Sequence, residues 1–142
     1  FSISVGNHDQ SGMGNPNGST MFYNQFFGTA RFGGRTYYGG HYGLNNDNHF
    51  SLFQASGMGF IEISLEYDTA ANPLVVAWAD SILQAYPNRR AIVTSHYILN
   101  VDGTFGSQGQ EPFSRGAEIR YRTQLARDSD GCRHDLQGHG QD

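Results

Sequence analysis

A strand, a helix and a second strand follow one another without a break between residues 60 and 95, and this succession constrains the fold more than any other feature. Phe60-Ile61-Glu62-Ile63-Ser64-Leu65-Glu66-Tyr67 alternates, with Phe60, Glu62, Ser64 and Glu66 on one side and Ile61, Ile63, Leu65 and Tyr67 on the other. That is the pattern of a strand in a sheet with one face buried. Asn72 then caps a helix whose first position suits Pro73. Val75, Trp78, Ala79, Ile82 and Tyr86 fall on one helical stripe, which reads as core, and Pro87 ends the run. Ala91-Ile92-Val93-Thr94-Ser95 is nearly continuous in apolar residues and predicts a fully buried strand. Strand, helix and strand at this spacing make an α/β unit with a right-handed crossover. Upstream, His49-Phe50-Ser51-Leu52-Phe53-Gln54-Ala55 also alternates, and the turn residues Gly57-Met58-Gly59 join it to the next strand as a hairpin.

The chemistry-bearing residues sit where such strands end. Phe1-Ser2-Ile3-Ser4-Val5 reads as a strand, and Gly6-Asn7-His8-Asp9 follows it directly. In α/β sheets ligands collect at the C-terminal ends of strands. Taken alone, the four residues are equally an Asx-rich turn. The 91–95 strand repeats the design by delivering His96 at its tip, and Gly138-His139 lies near the end of the chain. Imidazole is the commonest protein metal ligand, and mixed nitrogen and oxygen donors suit zinc, iron or manganese. His41, His49 and His134 lack such a setting and read as structural.

Composition removes several alternatives. The 142 residues make one domain at most, and a net charge of −4 disfavours generic nucleic-acid binding. The chain has no lysine, which excludes Schiff-base and P-loop lysine chemistry. The single Cys132 excludes an internal disulfide and a cysteine zinc cluster. No apolar run approaches the ~20 residues that span a bilayer, and no signal-peptide pattern is present. Residues 11–50 are rich in Gly, Asn, Tyr and Phe, with one short helical piece expected over residues 20–27. So long an excursion reads as a substrate-facing insertion, or as an aromatic satellite cluster without a ligand. A helix with Ile119 and Leu125 inward is expected over residues 116–127, and residues 128–142 lack an apolar run. Both termini fall inside motifs, so sequence beyond each is expected.

Gly6-Asn7-His8-Asp9, His96 after Ile92-Val93-Thr94-Ser95, and Gly138-His139 resemble, in order and spacing, the calcineurin-like metallophosphoesterases. The resemblance covers most of residues 1–100 and weakens after about Gly103. It implies a four-layer α/β/β/α sandwich, incomplete in this chain, with two divalent or trivalent metal ions of the Zn, Fe or Mn class. It gives the second metal the amide oxygen of Asn7 together with His96 and His139. His8 would stabilise the phosphoryl group or protonate the leaving oxygen, and Asp9 would hold its ring. The family's Asp-x-His and Gly-Asp-x-x-Asp motifs are missing from the chain, and Gln141 stands where the family's second terminal histidine belongs. Gln141 offers a weaker amide ligand, unless the tail beyond Arg127 is out of the family's register. The resemblance therefore implies a hydrolase of small-molecule or nucleotide-like phosphoesters, a phosphatase or phosphodiesterase, weak or inactive as this chain alone. A non-catalytic, degenerate ligand- or glycan-binding domain of the same fold and a nucleotidase are the alternatives. The Gly/Asn/aromatic loops and the family's many secreted members suggest an extracytoplasmic place.

Overall fold

A computed structural model describes residues 1–12, 15, 17–67 and 72–96. The helix expected over 116–127 and the residues His134, His139 and Gln141 lie outside these described residues. The protein is a mixed α/β structure. Its elements are α1 (Met21–Phe27), α2 (Thr29–Phe32), β1 (Tyr38–His41), β2 (His49–Ala55), β3 (Met58–Leu65), α3 (Pro73–Ala85) and β4 (Arg90–Ser95). The four strands form one sheet in the order β1-β2-β3-β4. β1, β2 and β3 are antiparallel neighbours, and β4 returns parallel to β3 after α3.

Local chemistry sets these elements. Ala55 pairs with Met58, so β2 and β3 are joined by Ser56-Gly57 alone. Both turn residues have positive φ, 51° and 76°. A two-residue loop with that backbone matches the right-handed twist of the strands it joins. The turn thus falls one residue earlier than the glycine pattern predicts, and Met58 and Gly59 belong to β3. α3 starts as expected, with the Leu74 N–H donating to Asn72 Oδ1 at 3.0 Å. Its stripe packs on Phe50, Ile61 and Ile63, with Ala79 fully buried and Trp78, Ile82 and Tyr86 at the margin. Burying each large apolar side chain contributes about 1.5–3 kcal/mol. Arg89 locks the far end, donating from Nη1 to the carbonyls of Phe53 and Phe60 at 3.2 and 3.1 Å.

Several expectations need correction. Residues 1–5 belong to no strand of the sheet. They cross its second face, where Ser2 Oγ meets both His49 Nε2 and Ser64 Oγ, at 2.8 and 2.9 Å. That face is not simply solvated, since His49, Ser51 and Ser64 are all buried. α1 and α2 complete the cover: the Tyr23 hydroxyl donates to the Ile3 carbonyl at 2.6 Å, and Phe32 stacks on His49 at 6.2 Å. The helical piece expected over 20–27 is α1, whereas α2 and β1 were not anticipated. β1 escapes a sequence reading because Gly39 and Gly40 fill its middle, and a Cβ at Gly39 would collide with the Phe50 ring. β4 is not fully buried: Ala91 and Val93 are half-buried against the core while Arg90, Ile92 and Thr94 are exposed. Among the described residues, no helix is long and apolar enough to cross a membrane.

Ser56 is the sole described residue other than glycine with positive φ. Asparagine tolerates that backbone better than serine, so Ser56→Asn should stabilise the fold by about 0.5 kcal/mol. Thermal unfolding reads this as a Tm raised by roughly 1–2 °C; a lower Tm would rule out the turn as described.

Candidate functional site

The site begins as a single helical turn. Asn7–Asp9 is 3₁₀, closed by the Asp9 N–H donating to the Gly6 carbonyl at 3.1 Å. The Gly6 N–H in turn donates to Asp9 Oδ2 at 2.8 Å. Asp9 thus satisfies a backbone donor that the turn would otherwise leave open. His8 and Asp9 are exposed and Asn7 is half-buried. The turn lifts His8 and Asp9 out of the packed layer.

Tyr67, just past the end of β3, fixes this turn from both sides. Its N–H donates to the Val5 carbonyl at 3.1 Å, and its carbonyl accepts from Gln10 Nε2 at 2.7 Å. Val5 and Gln10 are both buried, so the two anchors on either side of the turn are sheltered from water. The same residue presents its ring edge to His96, with centroids 5.7 Å apart and planes at 80°. His96 is the first residue after β4, and its Nδ1 comes within 3.3 Å of where a Cβ on Gly6 would stand. Only glycine allows that approach without the imidazole giving way. Ser4 Oγ adds a long hydrogen bond to the Thr94 carbonyl at 3.4 Å.

The fold therefore sets His96 beside Gly6, the residue that opens the turn carrying Asn7, His8 and Asp9, and these four are the predicted site residues that are described. His139 and Gln141 lie outside the described residues. Asp9 reaches back to Gly6. Holding the His8 ring, the role implied by resemblance, is not among its hydrogen bonds in the described residues. Tyr67 and Gln10 were missed by sequence reasoning. The available signal was position alone, with Gln10 directly behind the motif and Tyr67 at a strand terminus.

A second polar feature adjoins this edge. A cavity of about 480 Å³ is lined by Thr20, Asn24, Asn45, Asp47 and Glu66, among others. Asp47 is already engaged there, accepting from Thr20 Oγ1 at 2.9 Å and from Asn24 Nδ2 at 2.6 Å. Asn48 Nδ2 donates to Glu66 at 2.8 Å. In sequence this region showed only as a turn signal. Tyr23, beneath it, has its hydroxyl pushed well above the ordinary phenol range by burial first and by Asp47 and Asp9 next. It stays a neutral donor to Ile3.

No family model matches the chain, and no solved structure matches it. Among curated proteins it is similar to "Uncharacterized protein YvnB" of Bacillus subtilis (strain 168), with 30% identity over 113 residues. That alignment takes in 80% of this chain and 8% of the relative, so the chain spans about 8% of that protein's length.

If Tyr67 and Gln10 grip the turn as described, Gln10→Ala should cost about 1 kcal/mol by losing a sheltered hydrogen bond. Urea unfolding measures that loss, and the Asp9 amide, bonded to Gly6, should exchange with solvent several-fold faster. Unchanged stability and unchanged Asp9 exchange would show that Gln10 does not hold the turn.

Proposed function

We propose that this chain is part of a metal-dependent phosphoric ester hydrolase of the calcineurin-like class, a phosphatase or phosphodiesterase with the four-layer sandwich of that family. One observation carries the reading: the His96 imidazole stands against Gly6, at the foot of the turn bearing Asn7, His8 and Asp9. Two segments 90 residues apart in the chain thus meet at one sheet edge, and on this reading they would bring an amide, two imidazoles and a carboxylate to it.

The donor set fits a transition metal in kind. Asn7 offers an amide oxygen and His96 an imidazole nitrogen, a mixture suited to zinc, iron or manganese. It does not complete a site by itself: among the described residues, no three His, Cys, Asp or Glu side chains cluster closely enough to hold an ion. His139 and Gln141 are the further ligands proposed within the chain. The bridging carboxylate and the first metal's ligands would come from sequence outside it. When bound, such a metal pair polarises a phosphoryl oxygen and lowers the pKa of water. His8, exposed on its turn, would meet substrate and give a proton to the leaving oxygen, a contribution of roughly 10²–10⁴-fold. Asp9 holds the turn that aims it. The leaving group would be a small-molecule or nucleotide-like ester, and the 11–50 insertion would shape its side of the site.

A second reading, a non-catalytic glycan-binding domain, draws on α1. Met21, Phe22 and Phe26 are 63, 67 and 59% exposed there, which is a surface on which sugar rings stack.

The hydrolase reading makes a two-part prediction. This chain alone should bind Zn²⁺ or Mn²⁺ weakly and turn over p-nitrophenyl phosphate little or not at all. In a longer chain that supplies the Asp-x-His and Gly-Asp-x-x-Asp motifs, His8→Ala should lower kcat at least about 100-fold while metal content holds. Collapse of the metal content would reassign His8 as a ligand. Full turnover by the variant would remove it from the chemistry.

A further inference from the structure

On the face of the sheet opposite α3, four side chains form one hydrogen-bonded chain: His49 and Ser64, both buried, with Ser2 and Glu62, both half-buried. His49 Nδ1 lies 2.8 Å from the Asn46 carbonyl. A carbonyl only accepts, so Nδ1 carries a hydrogen. His49 Nε2 lies 2.8 Å from Ser2 Oγ, Ser2 Oγ lies 2.9 Å from Ser64 Oγ, and Ser64 Oγ lies 2.8 Å from Glu62 Oε1. Each of these links needs one hydrogen.

The hydrogens do not suffice if both ends take their usual neutral-pH forms. A neutral His49 with its hydrogen on Nδ1 brings none to Nε2, and an ionised Glu62 brings none either. The two serines bring one each. Three links have two hydrogens, so two bare oxygens or an oxygen and a nitrogen would face each other beside the buried His49 and Ser64. His49 is 1% exposed and Ser64 is 0% exposed. The other carboxyl oxygen, Glu62 Oε2, is buried without a hydrogen-bond partner among the described residues. One added proton fills every link, whether it resides on His49 Nε2 or on Glu62 Oε1, because the hydroxyls turn to follow it.

We propose that His49 and Glu62 share a single proton through Ser2 and Ser64, and that this proton locks the 1–5 segment, and with it the Gly6-Asn7-His8-Asp9 turn, onto the sheet. Ser2 is the member of the chain that belongs to that segment. Loss of the proton leaves a link unfilled at Ser2 or beside it, so the base of the site loop is tied down in a proton-dependent way. The ionisable groups that face the pair are His41 and Tyr38 of β1, Asp47 before β2 and Tyr23 of α1. None of them enters the chain of links. Asp47 is held by Thr20 and Asn24, Tyr23 by Ile3, and Tyr38 by Asn46. Burial favours the neutral ring of His49. This inference does not depend on the hydrolase reading.

Glu62→Gln tests it, because the amide supplies an N–H to Ser64 and the folded variant no longer needs the extra proton. The unfolded chains take up protons with His49 near its ordinary 6.5 and Glu62 near about 4.3. From about pH 5.5 to 7.5 the folded wild type then holds one proton on the pair and the folded variant none. The unfolded forms of the two proteins hold equal numbers. Stability rises with pH wherever the unfolded state binds more protons than the folded one, so the variant gains on the wild type as pH rises. Denaturant unfolding at pH 5.5, 6.5 and 7.5 should show the ratio of the variant's folding constant to the wild type's rising about tenfold per pH unit. A ratio that stays constant across this range overturns the shared proton. Should the variant not fold, calorimetry of the wild type in buffers of different ionisation enthalpy reads the same quantity. Unfolding at pH 7.5 should release about one proton, and release of none overturns the proposal equally.

Discussion

The structure depends on how the end of β3 grips the segment that precedes the sheet. Tyr67 uses its backbone N–H and C=O on Val5 and Gln10, the two residues that bracket the Gly6-Asn7-His8-Asp9 turn. A short polar turn fixes several dihedrals for few hydrogen bonds of its own, so it needs anchors outside itself. Here both anchors come from one residue, and the ring of that residue also touches His96. Pairing β4 in parallel with β3 then fixes where His96 emerges, since Leu65 and Ser95 stand opposite one another at the ends of the two strands. Geometry at the edge follows from the ladder rather than from attraction among the polar groups themselves.

Beneath that edge the sheet carries two unlike faces. Phe50, Ile61 and Ile63 meet α3 in an apolar core. His49, Ser51 and Ser64 are as well buried, yet polar. A buried polar layer stabilises little by itself, but it is demanding: a slide of the covering segment would leave several groups unpaired, at about 1–3 kcal/mol for each. The 1–5 segment therefore docks in one register, with Ser2 over His49 and Ser64 and the Tyr23 hydroxyl on the Ile3 carbonyl.

How far these features are legible in the sequence depends on whether their causes are local. α3 is readable because Asn72, Pro73 and the apolar stripe act within one helix. The β2–β3 hairpin is readable from alternation and glycine. The 1–5 segment misleads for a physical reason: alternation tells which side chains share a face, not whether another backbone runs alongside. Ser2 and Ser4 do share a face, but it is turned onto a sheet that the segment crosses. In β4 the unbroken apolar run suggests burial on both faces, while Ile92 is 42% exposed among the described residues. The position of His96 at the tip of β4 was legible, because an apolar run ending in a polar residue marks a strand tip. The residues that hold the site, Tyr67 and Gln10, act through backbone and amide bonds that no composition or spacing reveals.

We propose that a metal meets the chain at this sheet edge and not at the neighbouring acidic cavity. Paramagnetic broadening by substoichiometric Mn²⁺ tests it on the chain as it stands, weak binding included. The ring resonances of His96 and the side-chain amide of Asn7 should broaden together at the lowest Mn²⁺ concentrations, while buried His49 stays sharp. Broadening centred on Asp47 and Glu66, with His96 and Asn7 unaffected, would contradict the account.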